Sequence, residues 1–364
     1  VQYGHWLCVS PEKKLTGYKH PIGFLIGFFS NIAVSYPKTV VDNMRKYLLL
    51  AMAALSFVAF DATAQDPQFT QFYANPLYLN PAFAGAARCP RLIMNYRNQW
   101  PAISGTFVTY NASYDQYIHG IHGGIGLQVM NDRAGEGTLN TISANLMYSY
   151  RLDVTRKFSI NAALQAGFTQ KRIDFSKLTF GDMIDPRYGF IYETQENVFG
   201  PTRSFPDFAA GFVAYSERIY VGFAAHHITQ PREGFISTAK LPVKLTAHAG
   251  VNILFDRRRK DYGSFSPNIL YQQQQKFQQL NYGFYVSRGP FVGGLWFRQN
   301  FYNADSFIAL IGITTKTFKF GYSYDVTVSK LSNQTAGSHE LSFQLQFECR
   351  PVKKKFRAIS CPSF

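Results

Sequence analysis

From residue 91 onward the chain returns repeatedly to one pattern, in which an apolar residue alternates with a polar or small one. "FSINAALQAGFTQ" (158–170) sets Phe158, Ile160, Ala162, Leu164, Ala166 and Phe168 on one face, with Ser159, Asn161, Gln165 and Thr169 on the other. "FKFGYSYDV" (318–326) and "LSFQLQF" (341–347) repeat the alternation, whereas "SFIALIGI" (306–313) is apolar on both faces. Period two over such lengths specifies strands and excludes amphipathic helices. About fourteen such segments are expected, near 91–98, 106–117, 123–131, 139–151, 157–170, 206–217, 219–229, 241–255, 264–273, 279–286, 291–300, 305–315, 317–327 and 339–349. An even count suits a bacterial barrel.

No apolar run after residue 65 is long enough for a membrane-crossing helix. Two architectures can absorb so many strands: a pair of soluble sandwiches, or a closed transmembrane barrel whose strands need only alternate. The connections favour the barrel. Those after even-numbered strands are mostly tight ("LDVTR", "SER", "SRG", "TKT"), while those after odd-numbered strands include "NDRAGEGT", 171–205 and 230–240. Outer-membrane barrels have short periplasmic turns and longer outer loops, so both chain ends are expected in the periplasm. The predicted fold is an all-β outer-membrane barrel of about fourteen antiparallel strands over 91–349, preceded by a non-strand segment.

Ahead of the barrel, Met44-Arg45-Lys46, the apolar core 47–60 and "ATA" (62–64) spell a signal peptide over 44–64, with cleavage after Ala64. Residues 1–43 are read as an upstream extension from a mis-called start, and 350–364 as a basic periplasmic tail. Export places three cysteines in an oxidising compartment. Cys89 precedes the first strand and Cys349 ends the last, so a seam-locking disulfide from Cys89 to Cys349 or Cys361 is expected, with three free thiols the alternative.

Catalytic chemistry finds little support. His226 and His227 are adjacent on an expected strand, so they should point to opposite faces and share no metal. His119 and His122 flank a turn without a third ligand, and "GGIG" (123–126) has no following helix to cradle phosphate. Asp182 and Asp185 could hold a cation in the longest loop, but a solvated loop surface is the stronger reading. No Ser/His pair has catalytic spacing. The reading is non-enzymatic, with no metal and no cofactor.

The segment 65–90 carries the most distinctive residues: "QDPQFTQFYANPLYLNPAFAG", five aromatics and two Asn-Pro pairs. Asn-Pro favours a turn or an extended entry. Gln68, Gln71, Asn75 and Asn80 could bond to a polar lumen while Phe69, Phe72, Tyr73 and Tyr78 pack, which describes a plug or a lid on the periplasmic mouth. A strap that merely anchors the first strand fits as well. Placed after a signal peptide, the run Phe69, Phe72, Tyr73, Asn75, Pro76, Asn80, Pro81 and Gly85, continued by "MNYRNQWP" (94–101), closely resembles the start of the PorP/SprF family. These are outer-membrane proteins of the type IX secretion and gliding motility machinery of Bacteroidetes. The chain departs from the family pattern at the upstream extension and in the basic tail. The resemblance implies a non-enzymatic barrel that helps export cargo proteins or attach them to the surface, alongside a periplasmic ring and a translocon.

The full chain has a net charge of +15, the mature part is strongly basic, and much of that charge falls on one predicted side. Arg257, Arg258, Arg259 and Lys260, with Lys353, Lys354 and Lys355 of the tail, are the candidate partner-docking residues. Charge runs usually just solvate a face, and that account stands level with docking here. As a docking field it would attract an acidic periplasmic surface or anionic lipid; nucleic acid is implausible in that compartment. A porin-like passive channel for small solutes is the competing function.

Overall fold

The computed structural model describes residues 66–348 except 104, 136, 156, 186, 196–199, 236–237, 257–261, 301–303 and 329–335. All of these lie in the unit Thr63–Phe364; the unit Val1–Ala62 lies outside them. The signal peptide 44–64, the extension 1–43, the tail 350–364, Arg257, Arg258, Arg259, Lys260, Cys349 and Cys361 therefore also fall outside the described residues.

Fourteen antiparallel strands form one closed wall. They are β1 (Arg91–Gln99), β2 (Phe107–Ile118), β3 (Gly123–Ala134), β4 (Leu139–Asp153), β5 (Ser159–Ile173), β6 (Thr202–Tyr215) and β7 (Ile219–His226), followed by β8 (Lys244–Val251, continued by Ile253–Leu254), β9 (Ser264–Gln274), β10 (Phe277–Arg288), β11 (Phe291–Asn300), β12 (Ala304–Thr314), β13 (Phe318–Thr327) and β14 (Ser338–Gln346). Each strand pairs with its neighbours in sequence, and β1 pairs with β14 from Arg91↔Gln346 to Gln99↔Ser338. That pairing removes both sheet edges, as a lipid environment requires. No described helix is long and apolar enough to cross a membrane.

The alternation sorts as read. On β5, Leu164 and Phe168 are 70% and 56% exposed on the outer face, while Ser159, Asn161, Gln165 and Thr169 are buried in the lumen. The double-sided apolar run on β12 has a specific cause. Its inward Ile308 and Leu310 join the same buried cluster as Phe72 and Trp296, so the lumen itself is apolar there.

Most short turns collect at one mouth and the longest loops at the other, although the connection between β9 and β10 at the latter is only two residues. At the long-loop mouth, 174–201 carries a small hairpin, Ile184–Asp185 with Gly189–Phe190. The Asp185 carboxylate accepts the Arg187 and Tyr188 N–H groups (2.7 and 2.9 Å), and Asp182 accepts the Gln195 N–H (2.7 Å). Both carboxylates thus serve as loop fasteners. Arg88, Arg91, Lys157, Arg218, Arg288 and Lys316 gather at the short-turn mouth.

Candidate functional site

Residues 66–85 lie inside the barrel and run nearly from one mouth to the other. The path starts at the long-loop end. There the Asp66 backbone N–H donates to Gln274 Oε1 (3.2 Å), and the Asp66 carboxylate sits 2.8 Å from His227 Nε2. It finishes at the short-turn end, where the Gly85 N–H donates to Asp115 Oδ2 (2.8 Å) and Arg91 pairs with the same carboxylate (2.5 Å). This corrects one expectation. The first described residue lies at the mouth opposite Phe347, so the two ends of the described chain are not on one side. Of the alternatives plug, lid and strap, the segment takes the course of a plug, running through the lumen instead of covering the short-turn mouth alone.

Each Asn-Pro pair opens a single helical turn inside the lumen, Pro76–Leu79 and Pro81–Phe83, with proline at the first position, where its missing N–H costs nothing. Asn80 caps its turn by accepting the Ala82 N–H (2.9 Å). Its amide also donates towards the Phe212 and Phe223 carbonyls (3.1 Å each) and lies 3.2 Å from His248 Nε2. Asn75 instead accepts from the Asn111 amide (3.0 Å), which in turn accepts from Gln128 (2.9 Å). The polar residues thus bond to the wall, as a lumenal segment must when water is largely excluded.

The aromatic residues fill the middle. Phe72 meets Trp296 edge-on (5.3 Å between centroids), Tyr73 lies among Tyr220, Tyr285 and Trp296, and Phe83 stacks on His248 (5.4 Å). Phe69 and Tyr78 pack against each other at 5.0 Å, and the Tyr78 hydroxyl donates to the Pro67 carbonyl. Glycine provides clearance where the plug touches the wall. A Cβ on Gly124 would lie 2.2 Å from the Ala84 carbonyl oxygen, and one on Gly211 would lie 2.2 Å from Asn80 Oδ1. Within "GGIG" the plug thus explains Gly124 and also Gly126, where a Cβ would lie 3.1 Å from Leu77 and 3.2 Å from Ala84, while a Cβ on Gly123 would lie 2.1 Å from the Ser149 carbonyl oxygen of the wall. What the plug leaves beside β3–β6 is a cavity of 160 Å³.

The strongest anchor is a carboxylate that the sequence reading passed over. Glu340, fully buried on β14, accepts the Thr70 N–H (2.6 Å), the Thr70 hydroxyl (2.7 Å) and the Gln71 N–H (3.2 Å). The Gln71 amide returns a bond to the Glu340 carbonyl (2.9 Å) and accepts the Ser342 hydroxyl (2.5 Å). Behind it, Arg97 lies 3.4 Å from Glu340 and 3.6 Å from Asp325, while Arg298 lies 2.7 Å from Asp325. The readable signal was there: each of these charges occupies an inward position on an alternating strand, where a lipid-facing residue would have been apolar.

A second anchor corrects the histidine expectation. β7 ends at His226, and His227 takes a positive φ of 57°, which turns its ring inward beside that of His226, with centroids 6.4 Å apart. His227 bridges Asp207 and Asp66, each at 2.8 Å. Burial alone would lower the imidazole, but the Asp66 and Asp207 carboxylates together push it up to about 9. Burial likewise opposes the Asp66 charge, yet His227 and Lys244 hold that carboxyl well below the usual range.

Cys89 is disulfide-bonded, and its partner lies outside the described residues. Among the described residues no group of three His, Cys, Asp or Glu side chains is arranged to hold a metal.

Solved structures with a similar course include the Ralstonia pickettii toluene transporter TbuX, with TM-score 0.44 and 10% identity, covering 75% of this chain and 93% of that one. A Pseudomonas aeruginosa FadL homologue gives 0.40 and 13%, covering 74% and 93%. The Acinetobacter baumannii outer membrane protein Omp33 gives 0.41 and 8%, covering 72% and 100%. No curated protein matches by sequence. Residues 62–345 match the family described as type IX secretion system membrane protein PorP/SprF, and with that span covering most of its length the chain belongs to this family.

Proposed function

We propose that the protein is a closed, non-enzymatic docking component of the type IX secretion machinery in the outer membrane. In this reading it assists export or surface attachment of cargo by binding translocon and periplasmic-ring proteins. The carrying observation is the plug: twenty residues, tied to the wall by Glu340, Asn111, Asn161 and Asp115, occupy the space a solute would need. A passive porin needs an open, water-filled lumen. The proposal assigns the short-turn mouth to the periplasm, where its basic residues would speed encounter with an acidic ring surface.

Two measurements test it together. In a planar bilayer the intact protein should be silent, and deletion of 66–85 should make it conduct. Charge reversal at Arg257–Lys260 with Lys353–Lys355 should leave barrel assembly intact but weaken ring co-purification and export, increasingly so with added salt. A conducting intact protein would favour the porin. A charge-reversed protein that still brings down the ring would reduce the basic face to a solvated one.

A further inference from the structure

Above the plug, on the long-loop side, the lumen opens into a vestibule of 500 Å³. Asp66, Pro67 and Gln68 form its floor, and Trp100 and Phe107, edge to face at 5.8 Å, stand in its wall. Four carboxylates line it (Asp66, Asp132, Asp305 and Asp325). Asp66 is already paired with His227 and Lys244, and Asp325 with Arg97 and Arg298, so among the described residues the carboxylates without a close cation are Asp132 and, at 3.8 Å from Arg298, Asp305. A cation is the complementary guest, and an indole face beside the carboxylates adds cation–π attraction.

The lining also carries unused hydrogen-bonding capacity. Arg97 Nε, Arg298 Nη2, Asp325 Oδ1 and Asn300 Oδ1 are buried without a protein partner among the described residues, and Arg97 and Asp325 are only 2% and 3% exposed. These are two donors and two acceptors on residues that line one space. An isolated ion would use only half of them, whereas a polypeptide backbone offers N–H and C=O groups together. The plug blocks onward passage, so a guest entering from this mouth must leave by it. The vestibule is built for residence rather than transit.

We propose that the vestibule binds a short, extended, basic segment of a partner or cargo polypeptide. A Lys or Arg side chain would lie towards Asp132 and Asp305, with backbone amides towards Arg97, Arg298, Asp325 and Asn300. This deepens the docking reading above and names the chemistry of one docked partner at the opposite mouth from the basic face.

The test uses the full chain in detergent micelles and fluorescence anisotropy of a capped five-residue peptide with two lysines, beside its glutamate and glutamine counterparts and free lysine. The lysine peptide should bind best and weaken with salt. Asp132→Asn with Asp305→Asn should reduce its affinity by about tenfold or more, as expected for losing a charge-assisted partner. Heat-dependent gel mobility verifies that the double variant is folded, and Trp100→Leu should weaken the same peptide without altering charge. Equal binding of lysine and glutamate peptides, or a double variant that binds as wild type does, would overturn the proposal. Free lysine binding as tightly as the peptide would replace it with a small-cation site. Ring co-purification and bilayer silence are read on the same preparations. Their persistence with failed peptide binding sinks this inference alone, and their loss sinks the docking reading.

Discussion

Replacing Glu340 by alanine should release the upper half of the plug while the barrel stays closed. The carboxylate takes three bonds from Thr70 and Gln71 and one contact from Arg97 at 3.4 Å, all with the residue fully buried. Removing one partner of a buried charged group costs roughly 3–5 kcal/mol. Arg97 keeps Asp325 at 3.6 Å, so the lower end applies. About 3 kcal/mol is a roughly hundredfold rise in the population with Thr70 and Gln71 unbonded, at 1.4 kcal/mol per decade. Glu340→Gln retains an acceptor and loses the charge, so a shift of about tenfold is expected. Hydrogen exchange read by mass spectrometry on a peptide spanning 68–75 measures both, with gel mobility confirming closed barrels. Were a folded Glu340→Ala barrel to protect that peptide as well as wild type does, Glu340 would not be what holds the plug.

The Asp66–His227–Asp207 bridge should make the plug tip sensitive to pH. A histidine raised to about 9 contributes stability that is complete below its ordinary value of 6.5 and is lost as pH rises through about 9. Asp66, held low, contributes above its ordinary 3.8 and loses that only in strong acid. A nitroxide at Gln68→Cys should therefore be immobile between pH 5 and 8 and free itself towards pH 10 (on the order of one step, set by these two groups), whereas His227→Gln should be mobile throughout; a pH-independent spectrum in the parent refutes the bridge. For the seam, a disulfide from Cys89 to Cys349 or Cys361 should leave one alkylatable thiol in the mature chain before reduction and three after, and three thiols without reductant would end that pairing.

The wall was legible because one face of every strand meets hydrocarbon and the other does not, so β5 and β14 could be read residue by residue. The family-like segment was legible as something lumenal, since Gln71, Asn75 and Asn80 interleave with aromatics in a way no lipid-facing strand tolerates. Its route was not. Thr70 finds Glu340 across 270 positions, and no local pattern encodes a partner that distant. The clues that were present looked like exceptions. β12 was apolar on both faces because Ile308 and Leu310 press on the plug, and Gly124 and Gly211 were small because plug atoms pass within touching distance. His227 escaped the period-two rule because one left-handed backbone step after β7 reverses its direction.

A hollow ring of strands resists stretching around its circumference but flattens readily, because its cross-section can become oval without breaking a ladder bond. Here the enclosed chain acts as a set of spokes. It is bonded to β14 at Glu340, to β2 at Asn111 and Asp115, to β4 at Ser149 and to β5 at Asn161. Farther round the ring it reaches β6 and β7 at the Phe212 and Phe223 carbonyls and β9 at Gln274. Distances across the ring are thereby fixed as well as distances along it. A lateral load on one wall reaches the facing wall through Asn80 and Gln71 instead of being absorbed as ovalisation. Flattening the ring would mean breaking these cross-links as well as bending the wall.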